Sequence, residues 1–140
     1  MTPHDYMVPP KDPRALLEDT WNQYHRLRAT GPRIIVRTWE IPEKIGHIVI
    51  PATSRRFYQG LPHTKLVKAT VLSVPTAYRH TYTEGQYVAF SQTFFARLAT
   101  MVDGTFVGVV HAKYLLGEAV LDRGAEAEID WIRNGHACAA

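Results

Sequence analysis

Cysteine is nearly missing from this chain. A single Cys138 among 140 residues excludes both an internal disulfide and a thiolate zinc cage. Long apolar runs are missing too, since none approaches the roughly 20 residues that a bilayer-spanning helix needs. Residues 1–10 lack the basic and apolar regions of a signal peptide, so the expected location is cytoplasmic, with no membrane partner. The seven histidines, His4, His25, His47, His63, His80, His111 and His136, fall without metal-ligand spacing. Neither His-Glu-x-x-His, nor a P-loop, nor Gly-x-Ser-x-Gly occurs. Glu84 and Asp103 each precede a glycine and read as turn residues rather than a catalytic pair. These absences predict a protein that is not an enzyme, with no catalytic residue, no metal and no cofactor.

The composition is that of a folded protein with one core: 46% apolar and 21% charged. A net charge of +3 invites a nucleic-acid reading. The basic residues are dispersed, however, and no aromatic-interleaved RNA-binding signature accompanies them, so they read as solvated faces without specific nucleic-acid binding.

Along the chain, Pro3, Pro9 and Pro10 bracket Tyr6, Met7 and Val8 in a segment expected to be an extended arm with no core of its own. Asp12-Pro13 is a helix N-cap and first-turn pair. Leu17, Trp21, Tyr24 and Arg28 follow at helical spacing, predicting an amphipathic helix of about four turns ended by Gly31-Pro32. Arm and helix form an N-terminal unit, residues 1–32. From Arg33 the period changes to two, and Ile, Val, Thr, Tyr and Phe dominate. Strands are expected at Arg33 to Trp39, Leu66 to Val74, Tyr87 to Phe90, Arg97 to Thr100 and Thr105 to Val110. The turn Thr83 to Gln86 and the hairpin signal Asp103-Gly104 punctuate them. The predicted fold class is mainly β, a closed barrel or sandwich. Because residues 33–120 hold the whole alternating pattern, deletion of Met1 to Thr30 is expected to leave them soluble. Residues 121–140 read as a C-terminal extension.

Residues 42–64 form a long loop with an apolar centre, Ile48-Val49-Ile50, between Gly46-His47 and Pro51. Loops of this length are usually functional. The tripeptide suits either an edge strand or an extended peptide that docks in a partner's groove.

Taken in order, these segments resemble the GroES, or 10-kDa co-chaperonin, family. Arg33-Ile34-Ile35-Val36-Arg37 resembles its opening strand, and Gly46-His47-Ile48-Val49-Ile50-Pro51 its mobile-loop motif. Lys68 to Val74, Gly85 to Phe90, Asp103 to Val110 and Tyr114 to Val120 resemble its later strands. The resemblance implies an irregular antiparallel GroES-like β-barrel over residues 33–120. It also implies a ring whose contacts run through the first and last strands, and docking on a large chaperonin through Gly46, Ile48, Val49 and Ile50. The chain departs from the family at His47, where a second loop glycine is usual, at Pro42, Ile45 and Pro75, in an abbreviated roof between Val74 and Gly85, and in both extensions. These departures motivate an alternative: a structural virion protein, a capsid decoration or cement protein of a tailed phage. Its arm and helix, through Tyr6, Met7, Val8, Leu17, Trp21 and Tyr24, would bind the major capsid protein.

Overall fold

The computed structural model describes residues 7–41, 44–45, 47–49, 51 and 66–118. Within them, helix α1 (Pro13–Gln23) precedes the strands β1 (Arg33–Thr38), β2 (Lys44–Ile45), β3 (Ile48–Val49), β4 (Leu66–Ser73), β5 (Tyr87–Ser91), β6 (Ala96–Thr100), β7 (Phe106–His111) and β8 (Leu115–Glu118). The fold is mainly β. Six strands form one antiparallel sheet in the order β6-β7-β1-β4-β5-β8, while β2 and β3 pair only with each other.

Chain connectivity forces that sheet to curl. Four residues join β5 to β6, a reach of at most about 17 Å, whereas four strand spacings would hold the two about 19 Å apart in a flat sheet. The three residues between β7 and β8 face the same demand over a shorter reach. Both links are 3-10 turns, Gln92–Phe94 and Ala112–Tyr114, and they meet where Phe94 and Tyr114 stack with ring centroids 3.9 Å apart. Inside the curl Phe95 stacks on Phe90 at 5.5 Å, which brings the start of β6 over β5. The expected barrel closure is not made, because β6 and β8 remain the two ends of the hydrogen-bonded order. Cross-sheet packing supplies the curvature here, and no β6–β8 ladder completes the circle.

The curl encloses the larger core, in which Ile34 and Val36 of β1 meet Val67, Ala69 and Val71 of β4, Val88 and Phe90 of β5, and Val110 of β7. Alternate residues face the other way: Ile35, Leu72 and Val107 form a second buried cluster with Met101 and Ala29. That outer face is covered by the N-terminal segment, with Leu17, Trp21, Tyr24 and Leu27 packed against it.

From Met7 onward the N-terminal segment is therefore no free arm. Met7 and Val8 are buried, Val8 bridges Glu40, and the Tyr87 hydroxyl donates to the Pro10 carbonyl at 3.0 Å. The helix begins as expected, with Asp12 capping the Arg14 amide at 3.0 Å, but it ends at Gln23, well before Gly31. Tyr24 is already extended at φ −138°, and the Ala29 amide donates to Ser73 Oγ at 2.9 Å. Residues 24–30 thus run along the sheet because packing and this tether outweigh the helical spacing. Gly31, at φ 62°, turns the chain into β1.

Gly108 marks the tightest packing in the curl. A Cβ there would sit 2.4 Å from the Ala96 carbonyl oxygen and 2.5 Å from the Phe95 ring, where backbone cannot yield cheaply. Gly108→Ala is expected to lower stability by about 1–3 kcal/mol through overpacking, read by thermal denaturation. Gly117→Ala, whose Cβ would meet nothing within 4 Å, is the control expected to unfold like wild type; equal transitions for the two variants would refute the close approach.

Candidate functional site

Two places gather polar or exposed apolar chemistry. The first is the β2–β3 hairpin, in which Lys44 pairs with Val49 and Ile45 with Ile48. A two-residue connection suits a tight hairpin, and the ribbon lies outside the six-stranded sheet. Val49 is 57% exposed and belongs to neither core cluster, while Lys44, His47 and Pro51 are exposed. Ile48 and Val49 do form a strand, as one of the two readings had it, but in this two-stranded ribbon rather than in the six-stranded sheet. Gly46 and Ile50 lie outside the described residues. Burial of one such valine in a partner is worth about 1.5–3 kcal/mol, enough to anchor a peptide though not to bind tightly alone.

The second place is a cleft of about 360 Å³ between residues 8–19 and β1, walled by Val8, Pro10, Leu16 and Trp39 with Arg37 among its lining residues. Arg37, with its side chain only 1% exposed, donates from Nε to Thr105 Oγ1 at 2.9 Å, from one terminal nitrogen to Asp19 Oδ2 and Thr20 Oγ1, both at 2.8 Å, and from the other to Asp103 Oδ2 at 2.9 Å. Asp103 Oδ1 in turn accepts from the Thr105 amide at 2.9 Å and hydroxyl at 2.6 Å. Asp19 accepts from Gln23 as well. The hydrogen bond from Arg37 first, then the Gln23 amide and the Arg37 charge, hold the Asp19 carboxyl below its ordinary value against the opposing effect of partial burial. The cluster acts as a clamp that ties α1, β1 and the β6–β7 turn together.

No family model matches the chain, and no curated protein matches it significantly. Among the described residues no group of three His, Cys, Asp or Glu could hold a metal ion, and no described helix is long and apolar enough to cross a membrane.

Of the residues expected to face a capsid, Tyr6 lies outside the described residues. Met7 and Val8 are 5% and 3% exposed, and Leu17, Trp21 and Tyr24 are half-buried against the outer face. Met7 packs in the inner core, and Leu17, Trp21 and Tyr24 serve the outer face, which is as apolar as the inner one and needs a cover. The first strand is likewise unavailable for ring contacts, since β1 lies between β7 and β4. The clamp was missed from sequence, though one signal existed: Ile34-Ile35-Val36 is an unbroken apolar run, so both faces of that strand are buried and Arg37 within it requires partners.

Proposed function

We propose that this chain is a GroES-like co-chaperonin ring subunit that docks on a chaperonin through the tip of its β2–β3 hairpin. The observation that carries this reading is the hairpin itself: a ribbon outside the main sheet, with Val49 57% exposed, at the position where the sequence resembles the family's mobile loop. Val49 has no part in either core cluster of the described residues. A ring multiplies weak contacts by avidity, which lets a short anchor suffice. The capsid reading drew on free arms, and residues 7–32 instead cover the sheet.

The test is co-sedimentation of the full chain with a purified chaperonin ring in the presence of nucleotide. Val49→Asp is expected to reduce binding at least ~tenfold, the equivalent of about 1.4 kcal/mol for the whole complex, with an unchanged thermal transition. Wild-type protein that fails to bind the ring, or Val49→Asp that binds as well as wild type, would overturn the proposal. Binding to purified capsids in place of the ring would restore the alternative.

A further inference from the structure

We propose that a cleft between the segment after α1 and the β4–β5 connection binds a small phosphomonoester, its phosphoryl group held by Arg26, Arg28 and Arg79 and its organic body laid on Trp21. The proposal is independent of the hairpin and of chaperonin docking.

The cleft has a volume of about 350 Å³, and these four residues line it together with Leu27 and Glu84. That is room for a small molecule. Along the chain the arginines are dispersed, and folding brings them to one place. Arg26 and Arg28 flank Leu27, which packs against the outer face of the sheet, and the bond from the Ala29 amide to Ser73 Oγ, at 2.9 Å, tethers that segment. Arg79 arrives from the other side. It follows the 3-10 turn Thr76–Tyr78, which is closed by the Tyr78 amide donating to the Pro75 carbonyl at 3.0 Å and the Tyr82 amide to the Tyr78 carbonyl at 2.9 Å. Backbone hydrogen bonds thus place both sources of charge, while the three arginines themselves are exposed.

Among the described residues, no ion pair or side-chain hydrogen bond engages any of these three guanidinium groups. A lone surface arginine in that state is ordinary. Three lining one cleft repel one another, and Glu84 is the single acidic residue in the lining, so an anion is favoured there. Arginine's planar fork matches carboxylate and phosphate alike, but three forks offer more donors than the two oxygens of one carboxylate use well. A phosphomonoester brings three terminal oxygens and a charge of about −1.5 to −2 at pH 7. Trp21 supplies the remaining contact. It is half-buried, packed against the outer-face cluster and also lining the cleft, so an apolar ligand body has an indole to cover.

Isothermal titration calorimetry of the full chain with phenyl phosphate tests the site, with inorganic phosphate and phenol as separate arms. Phenyl phosphate is expected to bind at least ~threefold more tightly than inorganic phosphate, because its ring covers apolar surface, and phenol is expected not to bind. Arg28→Gln and Arg79→Gln act from different segments, and each should weaken phenyl phosphate binding at least ~tenfold through the loss of a charge-assisted fork. Arg33→Gln, outside the cleft, should leave binding unchanged, and Glu84→Gln should tighten it by removing the opposing charge. All four side chains are exposed, so thermal transitions should match wild type. Should either cleft variant lose its transition, Arg26→Gln takes its place with the same expected loss. Absence of phenyl phosphate binding at millimolar concentration overturns the proposal, as does an equal loss in Arg33→Gln, the mark of general charge attraction. Inorganic phosphate that binds as tightly as phenyl phosphate overturns the assignment of an organic body to Trp21. A single-stranded oligonucleotide that binds and is not displaced by phenyl phosphate would mark a nucleic-acid surface and likewise overturn the proposal.

Discussion

A chain that starts at Arg33, with residues 1–32 removed, is expected to lose cooperative folding. The reason lies on the outer face, where Ile35, Leu72, Met101 and Val107 are each at most 3% exposed beneath the segment that would be removed. At about 1.5–3 kcal/mol for each such side chain, uncovering the four forfeits roughly 6–12 kcal/mol, against a total stability of about 5–15 kcal/mol for an ordinary domain. Arg37 would also lose Asp19 and Thr20, two of its four partners. The expectation from sequence, that this unit could be deleted without harm, is therefore reversed. Circular dichroism under a urea gradient is the check: a cooperative transition near the full chain's midpoint would show that the segment is dispensable.

Arg37→Met carries the second large effect. Methionine keeps much of the volume but none of the donors, leaving Thr20 and Thr105 short of a partner and Asp103 without its counter-charge. Breaking a buried pair by removing one member costs about 3–5 kcal/mol. The lower end applies here, because the Asp19 side chain is 52% exposed and water can take over its solvation. A loss of ~3 kcal/mol corresponds to a fall in Tm of roughly 6–12 °C. Arg37→Lys retains the charge but gathers its donors on one nitrogen, which cannot span the four partners that the planar guanidinium reaches, and should fall between. The same variant alters acid behaviour. Asp19 is held below its ordinary value of 3.8 in the folded chain, so its contribution is fully present above that pH and is lost as pH falls through the lower folded value. In Arg37→Met this Asp19 contribution to the acid slope should shrink, since only the Gln23 bond remains to hold the carboxyl down. A Met variant with wild-type Tm and wild-type acid slope would show that the clamp contributes nothing.

The same local chemistry was readable at some points and opaque at others. Asp12-Pro13 announced the start of α1, since capping depends on residues next to one another. Asp103-Gly104 announced the turn into β7, with Gly104 at φ 90° as a left-handed turn position requires. The end of α1 was hidden, because Tyr24, Leu27 and Ala29 leave the helix to follow a sheet 40 and more residues away in sequence, where Ser73 holds the Ala29 amide. Ile48 and Val49 could be recognised as an apolar centre in a loop, but not as one arm of a ribbon apart from the main sheet.

By itself the sequence determined the class of the fold, the segments of β1, β4, β5, β6 and β7, the turns between them and the lack of metal or nucleophile motifs, because each depends on periods and pairs within a few residues. Tertiary structure alone decided three things. The two short links made the sheet curl without closing it, since their reach is shorter than the distance that a flat sheet would impose. The outer face, apolar by the same alternation that built the inner core, drew in α1 and the segment after it as its cover, through Leu17, Trp21, Tyr24 and Leu27. Arg37, buried within β1, found its counter-charges 18 residues before it and 66 after it, a distance at which a periodic pattern carries no information and only packing brings the charges together.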